Sequence, residues 1–154
     1  MNNIIKIDPF KVIGISVKTT NKNGQSITDM GQLWNKFYSE NILSTIPDRL
    51  SDDIYSIYTD YKSDYTEDYT AIIGCKVKSL DHIPNGLIGR QIQGGNFLRY
   101  ISKGQIPDAV VKTWQEIWGN NKKLKRKYTA DYEVYRDQFL HREIPEVDIY
   151  IATE

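Results

Sequence analysis

The chain has 154 residues, with 20 basic and 20 acidic side chains, and 40% of its residues are apolar. That length can bury a hydrophobic core, and the balanced charge gives no electrostatic footprint for nucleic acid or an anionic membrane. The single cysteine, Cys75, excludes a disulfide framework or a CxxC metal site within the chain. We expect a cytoplasmic protein, because the N-terminus lacks a signal-peptide layout and no apolar run is long enough to span a membrane.

The first half of the chain predicts a strand, a helix and two further strands. Apolar residues alternate over 9–19, which predicts a strand with its odd-numbered side chains buried. Apolar residues recur at helical spacing over 27–37, so we expect a helix there that begins at a serine or threonine cap. Runs rich in tyrosine and β-branched residues over 53–61 and 69–78 predict two strands joined by a polar bend.

The second half predicts the same succession of elements. Strand material over 87–102 is interrupted by a Gly-Gly pair, which indicates a hairpin or a bulge. Pro107 is well placed in the first turn of a helix, and an apolar stripe at helical spacing follows it as far as Trp118. The final segment, 131–154, has strand patterns at both ends and a polar connection between them.

Two segments of equal length suggest that the chain is a duplicated unit. They are IYSIYTDYKSDYTEDYTAIIGCKV, residues 54–77, and DYEVYRDQFLHREIPEVDIYIATE, residues 131–154. The aligned pairs include Tyr55 with Tyr132, Ile57 with Val134, Tyr58 with Tyr135 and Ser56 with Glu133. We therefore predict an α+β fold built from a tandem β-α-β-β repeat, with antiparallel sheets, two main helices and a central cleft. The pseudo-symmetric halves are expected at about 1–80 and 81–154, within one domain covering 1–154.

Glu133 is the position at which the two copies differ in charge. Strand alternation places Glu133 and Tyr135 on one face, followed by Asp137 and Phe139, and Tyr132 on the other. A solvated strand face would not normally carry those aromatic residues, so the pattern favours a pocket carboxylate over a surface charge. A carboxylate among aromatic rings attracts cations through its own charge and through the ring quadrupoles.

Aromatic residues from both copies are candidates for the walls of this pocket. The three tryptophans lie on apolar helix stripes, so plain core packing is the alternative interpretation for each of them. Trp118 lies at a helix end and is the tryptophan best placed to reach the cleft, while Tyr58 mirrors Tyr135 across it. The predicted ligand-binding residues are Glu133, Tyr135, Tyr58, Trp114, Trp118 and Trp34.

Catalytic and metal-binding patterns are scarce in this sequence. His82 and His141 fall in predicted loops without metal-ligand spacing, and no GxSxG, P-loop or GxGxxG motif is present. The basic cluster 122–127 is interpreted as a solvated connection, with a phosphate-binding patch as the alternative. We predict no catalytic residue, metal or cofactor, although Glu133 could act as a general base if burial raised its pKa.

Three strings carry a resemblance to a known family: IYSIYTDYKSDYTEDYTAIIGCKV, AVVKTWQEIW and DYEVYRDQF…PEVDIYIATE. They resemble the GyrI-like family, the effector-binding domain of AraC- and MerR-type multidrug regulators, over nearly the whole chain. The resemblance implies an SHS2-type tandem repeat and a cleft for cationic, amphipathic or aromatic small molecules. The acidic residue of the family's (F/Y)-E-x-Y strand falls on Glu133, its following aromatic residue on Tyr135 and its helix tryptophan on Trp114.

The chain departs from the regulators in one respect. They fuse this domain to a helix-turn-helix reader, whereas the two predicted repeats use all 154 residues here. We therefore expect a stand-alone ligand-binding member in transcriptional regulation or drug and toxin response, with no direct contact to nucleic acid or membrane. The alternatives are a small-molecule hydrolase that uses the pocket glutamate, and an interaction module whose protein partner is a regulator or gyrase.

Overall fold

The computed structural model describes residues 4–120, 122–136 and 144–154. Within these residues the chain forms one antiparallel sheet of eight strands, with two long helices and a short one, as the predicted α+β class requires. The strands are β1 (Ile4–Ile7), β2 (Phe10–Thr19), β3 (Ile54–Thr59), β4 (Tyr69–Val77), β5 (Ile88–Ile92), β6 (Gly95–Lys103), β7 (Ala130–Tyr135) and β8 (Glu146–Thr153). The helices are α1 (Gln25–Ser39), α2 (Ile42–Thr45) and α3 (Asp108–Gly119).

The strand order is β1-β6-β8-β7-β3-β4-β2-β5. Counted outward from the central β7–β3 pair, the second half of the chain contributes β7, β8 and β6, and the first half contributes β3, β4 and β2. Strands that correspond in the two predicted copies therefore lie at equal distances from the centre of the sheet. The antiparallel sheets expected for the two halves form one continuous sheet. This order is compatible with two β-α-β-β halves, whereas the duplication itself stays a prediction.

The outer strands are exchanged between the halves of the sheet. Strand β1 precedes β2 in the chain but pairs with β6, whereas β5 precedes β6 but pairs with β2. The predicted hairpin or bulge at the Gly-Gly pair is therefore wrong, because β5 and β6 border different parts of the sheet. The two connections touch where they cross: a Cβ on Gly94 would lie 2.5 Å from the carbonyl oxygen of Ile7 and 2.7 Å from the backbone nitrogen of Pro9. Only glycine allows that approach.

Both faces of the sheet are covered by apolar side chains. On the helix side, Ile13 belongs to a core that includes Phe37 of α1 and Ile117 of α3. On the opposite side, Val12 belongs to a second core that includes Tyr132. The odd-numbered side chains Ile13 and Ile15 are buried as predicted, and Phe10 and Val12 on the even-numbered face are buried as well. The alternation along β7 is as predicted: Tyr132 enters the second core, and Glu133 lies on the side of the helices.

The helices form where the apolar periodicity predicts them. α1 buries Leu33 and Phe37, which are one turn apart, and α3 buries Val110 and Ile117, which are two turns apart. The residue that caps α1 is Gly24, at φ +70°, and not the predicted serine or threonine. Among the described residues, no helix is long and apolar enough to cross a membrane.

Candidate functional site

Glu133 lies at the centre of the sheet. Its strand, β7, is hydrogen-bonded to β3 on one side and to β8 on the other, with Ser56 and Ile149 as its direct cross-strand neighbours. Every residue of β7 is buried, and Glu133 is only 3% exposed. The carboxylate is thus removed from bulk water, as the pocket interpretation predicted.

Three neutral donors hold the Glu133 carboxylate. The Tyr58 hydroxyl and the Trp114 indole N–H donate to Oε2, at 2.9 Å and 2.7 Å, and the Tyr135 hydroxyl donates to Oε1 at 2.6 Å. Ser56 extends the network, because its hydroxyl donates to the Tyr58 oxygen at 3.1 Å. Strand β3, strand β7 and helix α3 therefore meet at one side chain.

Burial dominates the electrostatics of this centre. Burial raises the pKa of Glu133 above its ordinary value, while the hydrogen bonds from Tyr135, Trp114 and Tyr58 offset part of that rise. Burial and the neighbouring Glu133 charge raise the pKa of Tyr58 and of Tyr135 well above that of free tyrosine, so both hydroxyls stay protonated as donors. In residues 4–120, 122–136 and 144–154, no basic side chain forms an ion pair with Glu133.

Aromatic rings surround the carboxylate on both sides. Tyr58 meets Trp114 edge to face, with ring centroids 5.6 Å apart, and Trp34 of α1 meets Tyr135 edge to face at 5.1 Å. Trp118 lies one ring further out, 6.2 Å from Trp114. The other five predicted residues are therefore grouped around Glu133, although the assignment of all six to ligand binding stays a prediction.

Further tyrosines belong to this aromatic group, and the sequence analysis did not assign them to the site. Tyr69 packs edge-on against Tyr58 at 5.9 Å, and Tyr65 stacks on Trp118 at 5.7 Å. The signal that could have identified them is the recurrence of tyrosine through 58–69, which brackets the bend between β3 and β4. The connection and the strands beside it bring those rings to the same end of the sheet.

A second buried acid lies two residues before Glu133, on the same face of β7. Asp131 is completely buried and accepts hydrogen bonds from the Tyr61 hydroxyl at 2.6 Å and from the backbone N–H of Ala152 at 2.9 Å. It also pairs with the Arg126 guanidinium at 2.8 Å, and the Arg126 side chain is only 1% exposed. The interpretation of 122–127 as a wholly solvated connection is therefore wrong at Arg126.

The histidines and the cysteine of this chain are of residue types that often serve in catalysis or metal binding. No group of three His, Cys, Asp or Glu side chains there could hold a metal ion, and His82 is exposed. His141, Asp137 and Phe139 lie outside the described residues. Burial raises the pKa of the Cys75 thiol to about 12, so this cysteine is an inert core residue at neutral pH.

Comparison with known proteins shows which family this chain resembles. The family described as Cass2, integron-associated effector binding protein, matches residues 3–153. YobU of Bacillus subtilis (strain 168), whose name proposes a transcriptional regulator, is 24% identical over 156 residues, covering 98% of this chain and 96% of YobU.

Two solved structures have similar folds. The integron cassette protein VCH_CASS2 from Vibrio cholerae is 29% identical, with a TM-score of 0.78 and coverage of 99% of this chain and 95% of that one. The protein SAV2435, solved with tetraphenylphosphonium bound, has a TM-score of 0.83 at 14% identity, covering 100% of this chain and 94% of that one. The chain therefore belongs to the Cass2 family of integron-associated effector binding proteins and has the GyrI-like effector-binding fold that its motifs predicted.

Proposed function

We propose that this protein binds cationic, amphipathic aromatic small molecules, with the Glu133 carboxylate as their counter-charge. The rings that donate to or pack on Glu133 and its donors form the walls of the site. The inner wall is Tyr58, Trp114 and Tyr135, and the outer wall is Trp34 and Trp118.

The observation that carries this proposal is a buried carboxylate whose donors, among the residues that the structure describes, are all neutral. Moving a carboxylate out of water costs several kcal/mol unless a cation and hydrogen bonds compensate it. Glu133 has the hydrogen bonds, but no basic side chain of the described segments pairs with it. A cationic guest would supply the missing charge, and that compensation would become binding free energy.

The Glu133 carboxylate has one acceptor position that no donor among the described residues occupies. A carboxylate offers about four lone-pair positions, and Glu133 receives two donors at Oε2 and one at Oε1. The remaining position on Oε1 suits an N–H group of a guest, while quaternary or phosphonium centres would interact through charge alone. Each favourable ring would add about 1 kcal/mol to cation binding, or ~2 kcal/mol where water is excluded.

The comparisons support this ligand class and a sensing role. Tetraphenylphosphonium, the ligand in the SAV2435 structure, combines a delocalised positive charge with aromatic rings. The family description names effector binding, and the name of YobU proposes transcriptional regulation. We infer that ligand binding here serves transcriptional regulation or drug and toxin response in the cytoplasm, with any contact to DNA made through a protein partner.

The direct test is titration with tetraphenylphosphonium, followed by quenching of tryptophan fluorescence. The wild type should bind, and Glu133→Gln should bind at least about tenfold more weakly. Glutamine suits the site sterically, because its amide oxygen can accept from Tyr58 and Trp114 while its NH₂ donates to the Tyr135 oxygen. Glu116→Gln is the matched control, because it removes the same charge from an exposed position on α3, the helix that carries Trp114.

Equal affinity of the wild type and Glu133→Gln would refute the counter-charge role. Turnover of a reactive electrophile by the wild type, abolished in Glu133→Gln, would instead support the hydrolase alternative. Loss of affinity in both Glu133→Gln and Glu116→Gln would indicate a general effect of net charge and would also count against the proposal.

A further inference from the structure

The ring of Tyr65 covers Trp118 at the outer end of the proposed site. Tyr65 belongs to the connection between β3 and β4, and its ring lies 5.7 Å from that of Trp118 with only 12° between the ring planes. Trp118 lies in the last turn of α3, one turn after Trp114, which bonds Glu133. Both rings of the stacked pair are half-buried, so a molecule from solvent can reach them.

The attachment of Tyr65 differs from that of the tyrosines nearer the carboxylates. The hydroxyls of Tyr58 and Tyr135 donate to Glu133, whereas the hydrogen bond of Tyr65 is made by its backbone oxygen, which accepts from the Asn21 side chain at 2.9 Å. Asn21 thus fixes the backbone of the connection and leaves the Tyr65 ring to be held by stacking. Swinging that ring aside would break no hydrogen bond to its hydroxyl in the part of the chain that the structure describes.

Arg126 lies against the same ring. Its guanidinium carbon is 5.9 Å from the centre of the Tyr65 ring and 4.3 Å from that of Tyr128. Arg126 is held in place by its ion pair with Asp131. A ring at the position of Tyr65 therefore stacks on an indole and also has a fixed positive charge nearby, which favours an electron-rich ring.

We propose that the face of Trp118 covered by Tyr65 is a second subsite, which takes a flat, electron-rich aryl group of an organic cation whose charge lies at Glu133. Tyr65 fills this subsite in the free protein, and the aryl group of the ligand displaces it. This inference rests on the proposed function. It narrows the ligand to a molecule with two parts, a positive centre and an aromatic ring joined by a short linker.

The arrangement of rings along α3 accounts for this division of the ligand. Trp114 takes part in both subsites, because its indole N–H donates to Glu133 and its ring lies 6.2 Å from that of Trp118. A ligand aligned along α3 can therefore leave its charge at the carboxylate and extend its ring over Trp118. Replacing the Tyr65 ring by a ligand ring exchanges one stacked pair for another, so displacement costs little.

The test uses two matched cations in isothermal titration calorimetry: propyltrimethylammonium, and trimethyl(naphthylpropyl)ammonium, which adds a naphthalene ring. For the wild type, the naphthyl ligand should bind more tightly. Trp118→Leu should weaken binding of the naphthyl ligand about tenfold and binding of the propyl ligand by a clearly smaller factor, because only the naphthyl ring reaches the face of Trp118. Tyr65→Ser should instead strengthen binding of the naphthyl ligand about threefold, because no internal ring has to be displaced, and should change binding of the propyl ligand less.

The outcomes separate this inference from the proposed function. If Glu133→Gln weakened binding of both cations while Trp118→Leu changed both affinities equally, the aryl subsite would be refuted and the cation site would stand. A naphthyl ligand weakened by Tyr65→Ser would show that Tyr65 is a wall of the subsite, and would overturn the displacement. If neither cation bound the wild type, the proposed function itself would fail. Circular dichroism of each variant verifies that it is folded.

Discussion

Two acids on the same face of β7 have opposite environments. Asp131 and Glu133 are separated by one residue, and both are almost completely buried. Asp131 is paired with a buried guanidinium, that of Arg126, whereas the donors to Glu133 are two tyrosine hydroxyls and one indole N–H. Asp131 therefore has a compensating positive charge beside it, whereas no basic side chain within 4–120, 122–136 and 144–154 compensates Glu133.

The difference separates structural stabilisation from binding. The Asp131 centre already contains an acid, a cation and aromatic rings, because Arg126 lies 4.3 Å from the ring centre of Tyr128. The Glu133 centre has the acid and the rings, and a guest cation would complete it in the same way. The protein thus provides, two residues away, an internal example of the complex that we propose it forms with its ligand.

Breaking the compensated centre should have the largest effect. Asp131→Asn removes the carboxylate charge that pairs with the buried Arg126 guanidinium at 2.8 Å, so we expect the free energy of unfolding to fall by about 3–5 kcal/mol. Urea denaturation at neutral pH measures this change. A loss below ~1 kcal/mol would mean that water reaches Arg126 and that the two acids are less different than their contacts indicate.

The uncompensated centre should respond in the opposite direction and by less. Burial raises the pKa of Glu133 in the folded protein above about 4.5, the ordinary pKa that this side chain has in the unfolded chain. The folded protein therefore binds a proton more readily than the unfolded chain. The penalty of the buried charge is therefore absent below that pH and complete above the raised folded pKa. We expect Glu133→Gln to be more stable than the wild type at about pH 8, by roughly 1–2 kcal/mol.

Thermal unfolding of the wild type and of Glu133→Gln, from about pH 4.5 to about pH 8, measures this difference in stability. The gap should close as the pH falls towards 4.5, because the protonated wild type resembles the glutamine variant. A gap that does not change with pH would show that Glu133 titrates as an ordinary carboxylate, and would remove the electrostatic distinction between the two acids.

An exposed ion pair should have the smallest effect on stability, and it serves as a control for Asp131→Asn. Arg90 and Asp60 form two hydrogen bonds of 2.9 Å, but their side chains are 37% and 49% exposed. Water screens such a pair, so Arg90→Ala should reduce the free energy of unfolding by less than about 1 kcal/mol. Urea denaturation beside Asp131→Asn compares the same charge types in two environments, and equal losses would contradict the argument from burial.

The elements of the fold were predictable where one regular pattern governs the segment. The alternation that places Glu133 and Tyr135 on one face is correct because β7 is a regular strand. The burial of both faces of β2 was not predicted, since the apolar run containing Val12 and Ile13 was interpreted as alternating while a second core also covers the other face. The pairing of β1 with β6 was beyond prediction, because a four-residue strand carries no signal for so distant a partner.

The candidate site shows a similar limit. The aromatic residues around Glu133 were predicted because each lies on a face defined by strand or helix periodicity. Arg126 was missed because the basic residues 122–127 were treated as one solvated cluster, and no periodicity in a connection tells which of them points inward. Tyr65 was not assigned to the site for the same reason, since the connection between β3 and β4 has no repeating face.

Because β1 and β5 are exchanged, each half of this molecule contributes the edge strand of the other half. If the backbone were cut within 78–87, each fragment would lack the strand that borders its sheet and would carry the one that completes the other. In each fragment alone, the backbone groups of β2 or of β6 would lose the strand that pairs with them at the edge of the sheet. Reassociation of the fragments would restore these strand pairs and the pairing of β3 with β7 that holds Ser56 beside Glu133. The cluster around Glu133 therefore needs both halves, because Ser56 and Tyr58 come from one and Glu133 from the other.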